Sequence, residues 1–360
     1  MLFTLIIGQV TVVSAGNENP ETSAEKQDIR GIIVLPILMY TPETCMAGGL
    51  MMNYHFQKAD ANRPSVFMPS MIYTQNKQIS MELSTDIYWQ QEEYHFNSYI
   101  CYNKFPDKFY GIGNQTTDDM EEDYTPKRYQ LQLNFQKRFL SHIYAGLQYE
   151  LEKNTMTELE DGGLLETGLI SGSSGGSVSG VGISVNYDSR DDVFYPAQGG
   201  YYQFSAKKFS EIFGSDFSFT RIMLDARRYY QVNHSHVIAV NGYLNFMTGM
   251  PPFNMMSLLG EVGERNLLRG YYQGRFRDRQ MIALQAEYRV PLWWRFGAAA
   301  FAGIGDVAHD VDQFQMNELK YSYGLGLRFR LSSQEKINVR IDFGLGEDTS
   351  GLYFTIGEAF

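Results

Sequence analysis

Between Arg30 and Phe360 apolar side chains recur at every second position, the period of a β-strand and not of a helix. Within 281–290, Ile282, Leu284, Ala286, Tyr288 and Val290 alternate with Ala283, Gln285, Glu287 and Arg289. Within 321–331 the apolar set Tyr321, Tyr323, Leu325, Leu327, Phe329 and Leu331 faces Ser322, Gly324, Gly326, Arg328 and Arg330. Within 337–345, Ile337, Val339, Ile341, Phe343 and Leu345 alternate with Asn338, Arg340, Asp342 and Gly344. One face is apolar, and the other holds glycines and charges. The pattern predicts strands over 30–40, 44–57, 65–76, 78–90, 93–105, 127–139, 141–152, 178–188, 199–209, 216–230, 235–247, 279–291, 294–304, 317–331, 335–346 and 350–360.

Alternation alone suits a soluble sandwich as well as a membrane barrel; strand length and loops separate the two. There are sixteen strands, an even number, and most have the roughly ten residues that a tilted membrane strand needs. Tight turns at 140–141, 233–234 and 332–335 contrast with long insertions at 106–126, 153–177, 249–277 and 305–316. The predicted fold class is all-β: a single transmembrane antiparallel β-barrel of sixteen strands, with the 249–277 loop between strands eleven and twelve.

Composition narrows the reading. Lys+Arg 30 against Asp+Glu 41 gives a net charge of -11, which argues against a nucleic-acid partner. Residues 106–126 carry six acids and one Lys, and 152–180 carry five acids and one Lys, so most of the excess acid sits on one expected extracellular rim. Mean hydropathy is -0.30, and beyond the N-terminus no apolar run approaches the ~20 residues of a membrane helix. The opening MLFTLIIGQVTVVSA is apolar and turns polar at Gly16. We expect a signal peptide over 1–15, a periplasmic linker over 16–29 and the outer-membrane barrel over 30–360. Cys45 and Cys101 fall in different hairpins and are expected as free thiols. No histidine pairs with a nucleophile, and no metal or cofactor site is expected, so the chain does not read as an enzyme.

Four stretches resemble one family, the BamA/TamA outer-membrane insertase superfamily of bacterial surface antigen type, which includes two-partner secretion translocators. They are Asp188-Ser-Arg-Asp-Asp-Val-Phe-Tyr-Pro-Ala-Gln-Gly199, the loop motif Leu267-Leu268-Arg269-Gly270-Tyr271, the strand Gln285-Ala286-Glu287-Tyr288-Arg289-Val290-Pro291-Leu292, and the chain from Gly324 to Phe360. The likeness covers the barrel from about residue 30. It departs from the family twice: no periplasmic POTRA domain precedes residue 30, and Gly303 stands where an aspartate is expected to meet the loop arginine.

The resemblance implies a barrel that assists assembly or export of outer-membrane or surface proteins, with outer-membrane lipid and client or periplasmic proteins as partners. A passive pore is the alternative, and a barrel enzyme a distant third. It also implies a lumen lock of Arg269, Gly270 and Tyr271. Their acceptor is expected to be Glu287, with Asp342 next, because a desolvated guanidinium needs a carboxylate. Pro36 removes a ladder donor from the first strand, and Gly351 and Gly357 weaken the last, so the lateral seam is expected between 30–40 and 350–360. Leu352, Phe354, Ile356 and Phe360 resemble a C-terminal barrel signal.

Overall fold

In the computed structural model, which describes residues 11–14, 29–41, 45–58, 63–233, 235–260, 267–331 and 336–360, the alternating segments form one antiparallel sheet. Its long strands are β1 (Ile29–Thr41), β2 (Cys45–Gln57), β3 (Ser65–Thr74), β4 (Ile79–Trp89), β5 (Tyr94–Lys104), β6 (Glu122–Leu140), β7 (Ile143–Leu159) and β8 (Gly176–Asp188). They continue as β9 (Gly199–Phe209), β10 (Phe219–Val232), β11 (His236–Gly249), β12 (Gln280–Pro291), β13 (Phe296–Ala308), β14 (Lys320–Arg330), β15 (Asn338–Leu345) and β16 (Ser350–Ile356). Each pairs with the next in chain order. The sixteen strands and the loop between β11 and β12 match the expectation.

Which face is apolar separates a membrane barrel from a soluble one. Leu284, Tyr288, Leu325, Leu327, Ile341 and Phe343 are exposed, whereas their strand neighbours Gln285, Glu287, Arg289, Arg328, Arg340 and Asp342 are buried. A soluble barrel would bury the first set and expose the second. The inverted order is stable only where the outside is hydrocarbon and the inside a confined polar space. That inside is hydrogen-bonded across the lumen wall: Gln136 Nε2 donates to Ser184 Oγ at 2.8 Å, and Ser184 Oγ donates to Asn134 Oδ1 at 2.9 Å.

Several boundaries differ from the sequence expectation. β6 and β7 extend well beyond it, because 122–126 and 153–159 continue the ladder past a register shift at Thr125/Pro126. Those residues are mostly polar and lack a regular run of apolar side chains, so periodicity does not report them. β16 stops at Ile356 because Gly357 turns the chain at φ +88. Phe360 therefore does not continue the outward row of Leu352 and Phe354; it is buried with Ala359 against Tyr229 and Ala239 inside the barrel. The backbone of Ile356 pairs with Val339. At the other end, Thr11–Ser14 forms a short strand opposite Gly31 to Val34 of β1, although the sequence places it in a signal peptide. Cys101 is a buried free thiol.

The arginine lock in the lumen

The loop between β11 and β12 folds inward and carries its own two-stranded ribbon, Ser257–Leu259 with Phe276–Asp278. Leu259, Leu267, Leu268, Tyr271 and Phe276 pack on Met223, Tyr243, Met281, Ala283 and Val307 of the wall. This apolar packing fixes the ribbon and delivers Arg269 to the wall below it. Arg265 lies outside the described residues.

Arg269 is 1% exposed. Its Nη1 lies 2.8 Å from Glu287 Oε2 on β12 and 2.6 Å from Asp342 Oδ2 on β15. Both expected carboxylates thus engage it at once. Asp342 accepts a hydrogen bond, whereas Glu287 Oε2 makes an ionic contact without hydrogen-bond alignment. The guanidinium also lies 3.4 Å from the centre of the Phe301 ring on β13. Gly303 opposes Gln285 and Ser322 and offers no side chain. The missing aspartate is therefore replaced by Asp342, two strands further on.

Arg269 belongs to a larger lattice. Arg328 on β14 reaches Glu287 at 3.1 Å, Glu358 at 3.1 Å and Asp342. Arg289 Nε lies 2.8 Å from Glu287 and 3.5 Å from Glu358, and Arg340 Nη1 lies 2.6 Å from Asp342. Four guanidiniums (Arg269, Arg289, Arg328, Arg340) share three carboxylates (Glu287, Asp342, Glu358). The cationic excess shows in the hydrogen bonding: Nε and Nη2 of both Arg269 and Arg340, and Nη1 of Arg289, have no acceptor among the described residues.

Gly270 makes the approach possible. It has φ +125, and a Cβ there would stand 2.7 Å from the Leu345 carbonyl carbon and 2.8 Å from Gly346 N. Opposite it, a Cβ on Gly344 would meet the Arg269 carbonyl oxygen at 2.4 Å. The tip is then clasped to the last hairpin. Gly270 N–H donates to Tyr353 Oη at 2.8 Å, Thr349 Oγ1 donates to the Gly270 carbonyl at 3.0 Å, and Glu347 N–H donates to Tyr271 Oη at 3.0 Å. The loop thereby holds β16 as well as β12 and β15. Gly270→Ala should expel the tip as completely as losing Arg269, while leaving the lattice charges intact; trypsin cleavage after Arg269 in the folded barrel would report it.

Five expected lock residues, Arg269, Gly270, Tyr271, Glu287 and Asp342, come together. Arg289, Arg328, Arg340, Glu358, Phe301, Thr349 and Tyr353 complete the site without having been singled out. The signal for Arg328 and Arg340 lay in the glycine-and-charge faces of β14 and β15, where small residues leave room for long ones; the others carried no such local signal. Of the expected seam residues, Pro36 opposes Leu50 within β1–β2, and Gly351 opposes Gly344 within β15–β16. No register joins β1 to β16 among the described residues.

Above the lock, the 105–121 loop covers the inserted loop. Arg275 donates to Asp118 at 2.9 Å and to Thr116 Oγ1 at 3.0 Å, Gly113 N–H donates to the Arg277 carbonyl at 2.8 Å, and Phe109 packs on Phe253 at 5.3 Å. Burial, with Glu121 alongside, pushes the Tyr110 phenol up. Burial opposes ionisation of Glu121 too, but hydrogen bonds from Lys108 and Tyr110 outweigh it and hold that carboxyl below its usual range. A depressed carboxyl stabilises the fold above its unfolded pKa, and the contribution disappears as pH falls through the lower folded value. Acidification through the carboxylate range should therefore loosen this cover, read as faster cleavage within 105–121 by an acid-tolerant protease.

An outward-apolar, inward-polar barrel with an arginine-tipped loop pinned to its inner wall defines a class of membrane barrel whose lumen is occupied from within. The chain belongs to the Omp85 superfamily, whose domain model matches residues 65–360. Its fold is similar to that of BamA from Haemophilus ducreyi lacking POTRA domains 1-3, at TM-score 0.58 and 13% identity over 97% of this chain and 74% of that one. It is also similar to CdiB from Acinetobacter baumannii, at TM-score 0.56 and 12% identity over 98% of this chain and 65% of that one, so it spans about two thirds of that protein's length. No curated protein matches it in sequence.

Proposed function

We propose that the protein is an outer-membrane barrel of insertase or translocator type that helps assemble or export outer-membrane or surface proteins, with client and periplasmic partners. The observation that carries this reading is the clasp between the Arg269 tip and the last hairpin. A passive pore needs a continuous open lumen, whereas here the inserted loop and the lattice occupy its side along β11 to β16 and connect it mechanically to β16, leaving a cavity of about 540 Å³ beside β3 to β10. Long loops face the cell exterior, and short turns with residues 357–360 face the periplasm.

The working surface in this reading is the seam. Unpaired backbone groups facing hydrocarbon cost several kcal/mol each, so the open edge of β1 favours an added strand. Thr11–Ser14 occupies that edge opposite Gly31 to Val34. Removal of 1–15 as a signal peptide would free it for a client strand. Planar-bilayer recordings of the whole chain and of a variant lacking the loop test the function. The insertase reading expects low, unsteady native conductance that rises on loop removal, with loss of surface-protein assembly in cells. Large steady conductance from the native chain would favour the pore.

A further inference from the structure

Arg269 and Arg340 each donate from Nη1 to Asp342 Oδ2, at 2.6 Å in both cases. In each, the nitrogens without an acceptor among the described residues are the same two, Nε and Nη2. Those two share one edge of the planar guanidinium and donate in parallel, the edge that a carboxylate takes bidentately. Both residues are 1% exposed, so each fork is held away from bulk water, where unmet donors on a charged group are costly.

The other two guanidiniums differ. Arg328 has acceptors for all three of its nitrogens. Arg289 donates from Nε to Glu287 and from Nη2 to the Phe360 carbonyl at 3.0 Å, so it keeps no open fork. Nor do the lattice carboxylates close the forks of Arg269 and Arg340. Glu287 Oε2 is their one oxygen without a hydrogen bond among the described residues, against four open nitrogens. Room lies beside Arg269. Its guanidinium rests on the Phe301 ring, and Gly303 is the next inward position of β13. Other inward glycines around the lock are filled: a Cβ on Gly324 would strike the Phe301 ring, and one on Gly326 the Asp342 carboxylate. Gly303 is not filled in this way. The atoms nearest to a Cβ there are Gln285 Cβ at 3.2 Å and the Leu284 carbonyl oxygen at 3.3 Å, both of β12 and neither of the lock. In register, Gly303 is flanked by Gln285 and Ser322, both polar and buried.

We infer that the lock is a binding site for a small carboxylate ion, seated over Gly303 on the Nε–Nη2 fork of Arg269. Arg340, which meets the same Asp342 oxygen, adds its charge to the site. A carboxylate presents two oxygens to the fork, whereas a halide presents one centre. Its single negative charge offsets the cation left over when four guanidiniums share three carboxylates. The ligand is a free ion and not an acidic side chain of another molecule, because both guanidiniums are shut off from the surface. Binding closes the open donors at the loop tip, so the ion's concentration sets how readily the tip leaves the wall. The inference goes beyond a role in assembly and holds equally for a pore.

The test uses the full chain folded into phosphatidylcholine vesicles, with sodium formate replacing sodium chloride at constant ionic strength. Formate is the smallest carboxylate and carries no apolar group. Urea unfolding is followed by tryptophan emission. A ligand of the folded state alone lowers the unfolding constant by the factor 1 + [L]/Kd, so formate at ten times its Kd should lower it about tenfold. Gly303→Asp places a tethered carboxylate at the same seat; it should resist urea better than the native chain in chloride and respond little to formate. If Gly303→Asp does not fold, Arg269→Gln serves as the control, because it removes the fork and should lose the formate response. Equal unfolding in chloride and formate throughout the titration would overturn the inference. So would a formate effect that persists at full size in Arg269→Gln, which would mark a general action of the salt. A full response in a folded Gly303→Asp barrel would overturn the Gly303 seat.

Discussion

Asp342→Ala should destabilise the barrel more than Arg269→Ala, by about 3–5 kcal/mol, the range for stranding buried charges without their partner. The lattice explains the asymmetry. Asp342 is the contact of Arg269, Arg328 and Arg340, and its loss leaves four guanidiniums facing two carboxylates. Arg269 is the surplus cation, and its loss leaves three of each. Arg269→Ala should therefore cost less stability while still freeing the loop tip from the wall. Urea unfolding of the vesicle-folded barrel would compare them, and a double-mutant cycle should give an Arg269–Asp342 coupling of about 1–3 kcal/mol. Additive effects would show that the loop is held by its apolar packing and the Tyr353 clasp, without the ion pair. The unpaired N–H groups make the same point from the other side: a lock with excess cation and unmet donors is easier to release than a fully satisfied one.

Crosslinking Ile33→Cys to Thr355→Cys should abolish assembly activity in cells, and reduction should restore it. Ile33 is buried on the inner face of β1, and Thr355 opposes the inward-facing Arg340, so both side chains point to the same side of the seam. The experiment requires the β1 edge to be free of Thr11–Ser14, and N-terminal sequencing of the membrane-bound protein would establish that. Full activity with the seam locked would end the gate reading and leave a closed barrel whose work is done elsewhere.

Much of this molecule was legible in the sequence because membrane strands are a local code. Apolar residues at every second position, ten-residue runs and Gly-, Asn- or Ser-containing turns fix sixteen strands without reference to anything distant, and the 199–209 strand coincides with β9. The strand count also placed the arginine loop between β11 and β12. Where the code weakens, so did the reading: the mostly polar upper parts of β6 and β7 pair above the apolar belt, where nothing requires alternation.

The sequence by itself determined the period, the strand number, the polarity of the two faces and the candidates Arg269, Glu287 and Asp342. Only the tertiary structure decided how many partners each would have. A buried guanidinium is satisfied by whatever carboxylates the wall brings within about 3 Å, and that depends on the register and curvature of β12 to β16, which alternation does not encode. The same holds for Phe360, whose fate turns on Gly357, and for Tyr353, which is an ordinary inward tyrosine of β16 until Gly270 lets the loop reach it. Local sequence sets which side of the sheet a residue faces; the long-range path of the inserted loop sets what it meets there.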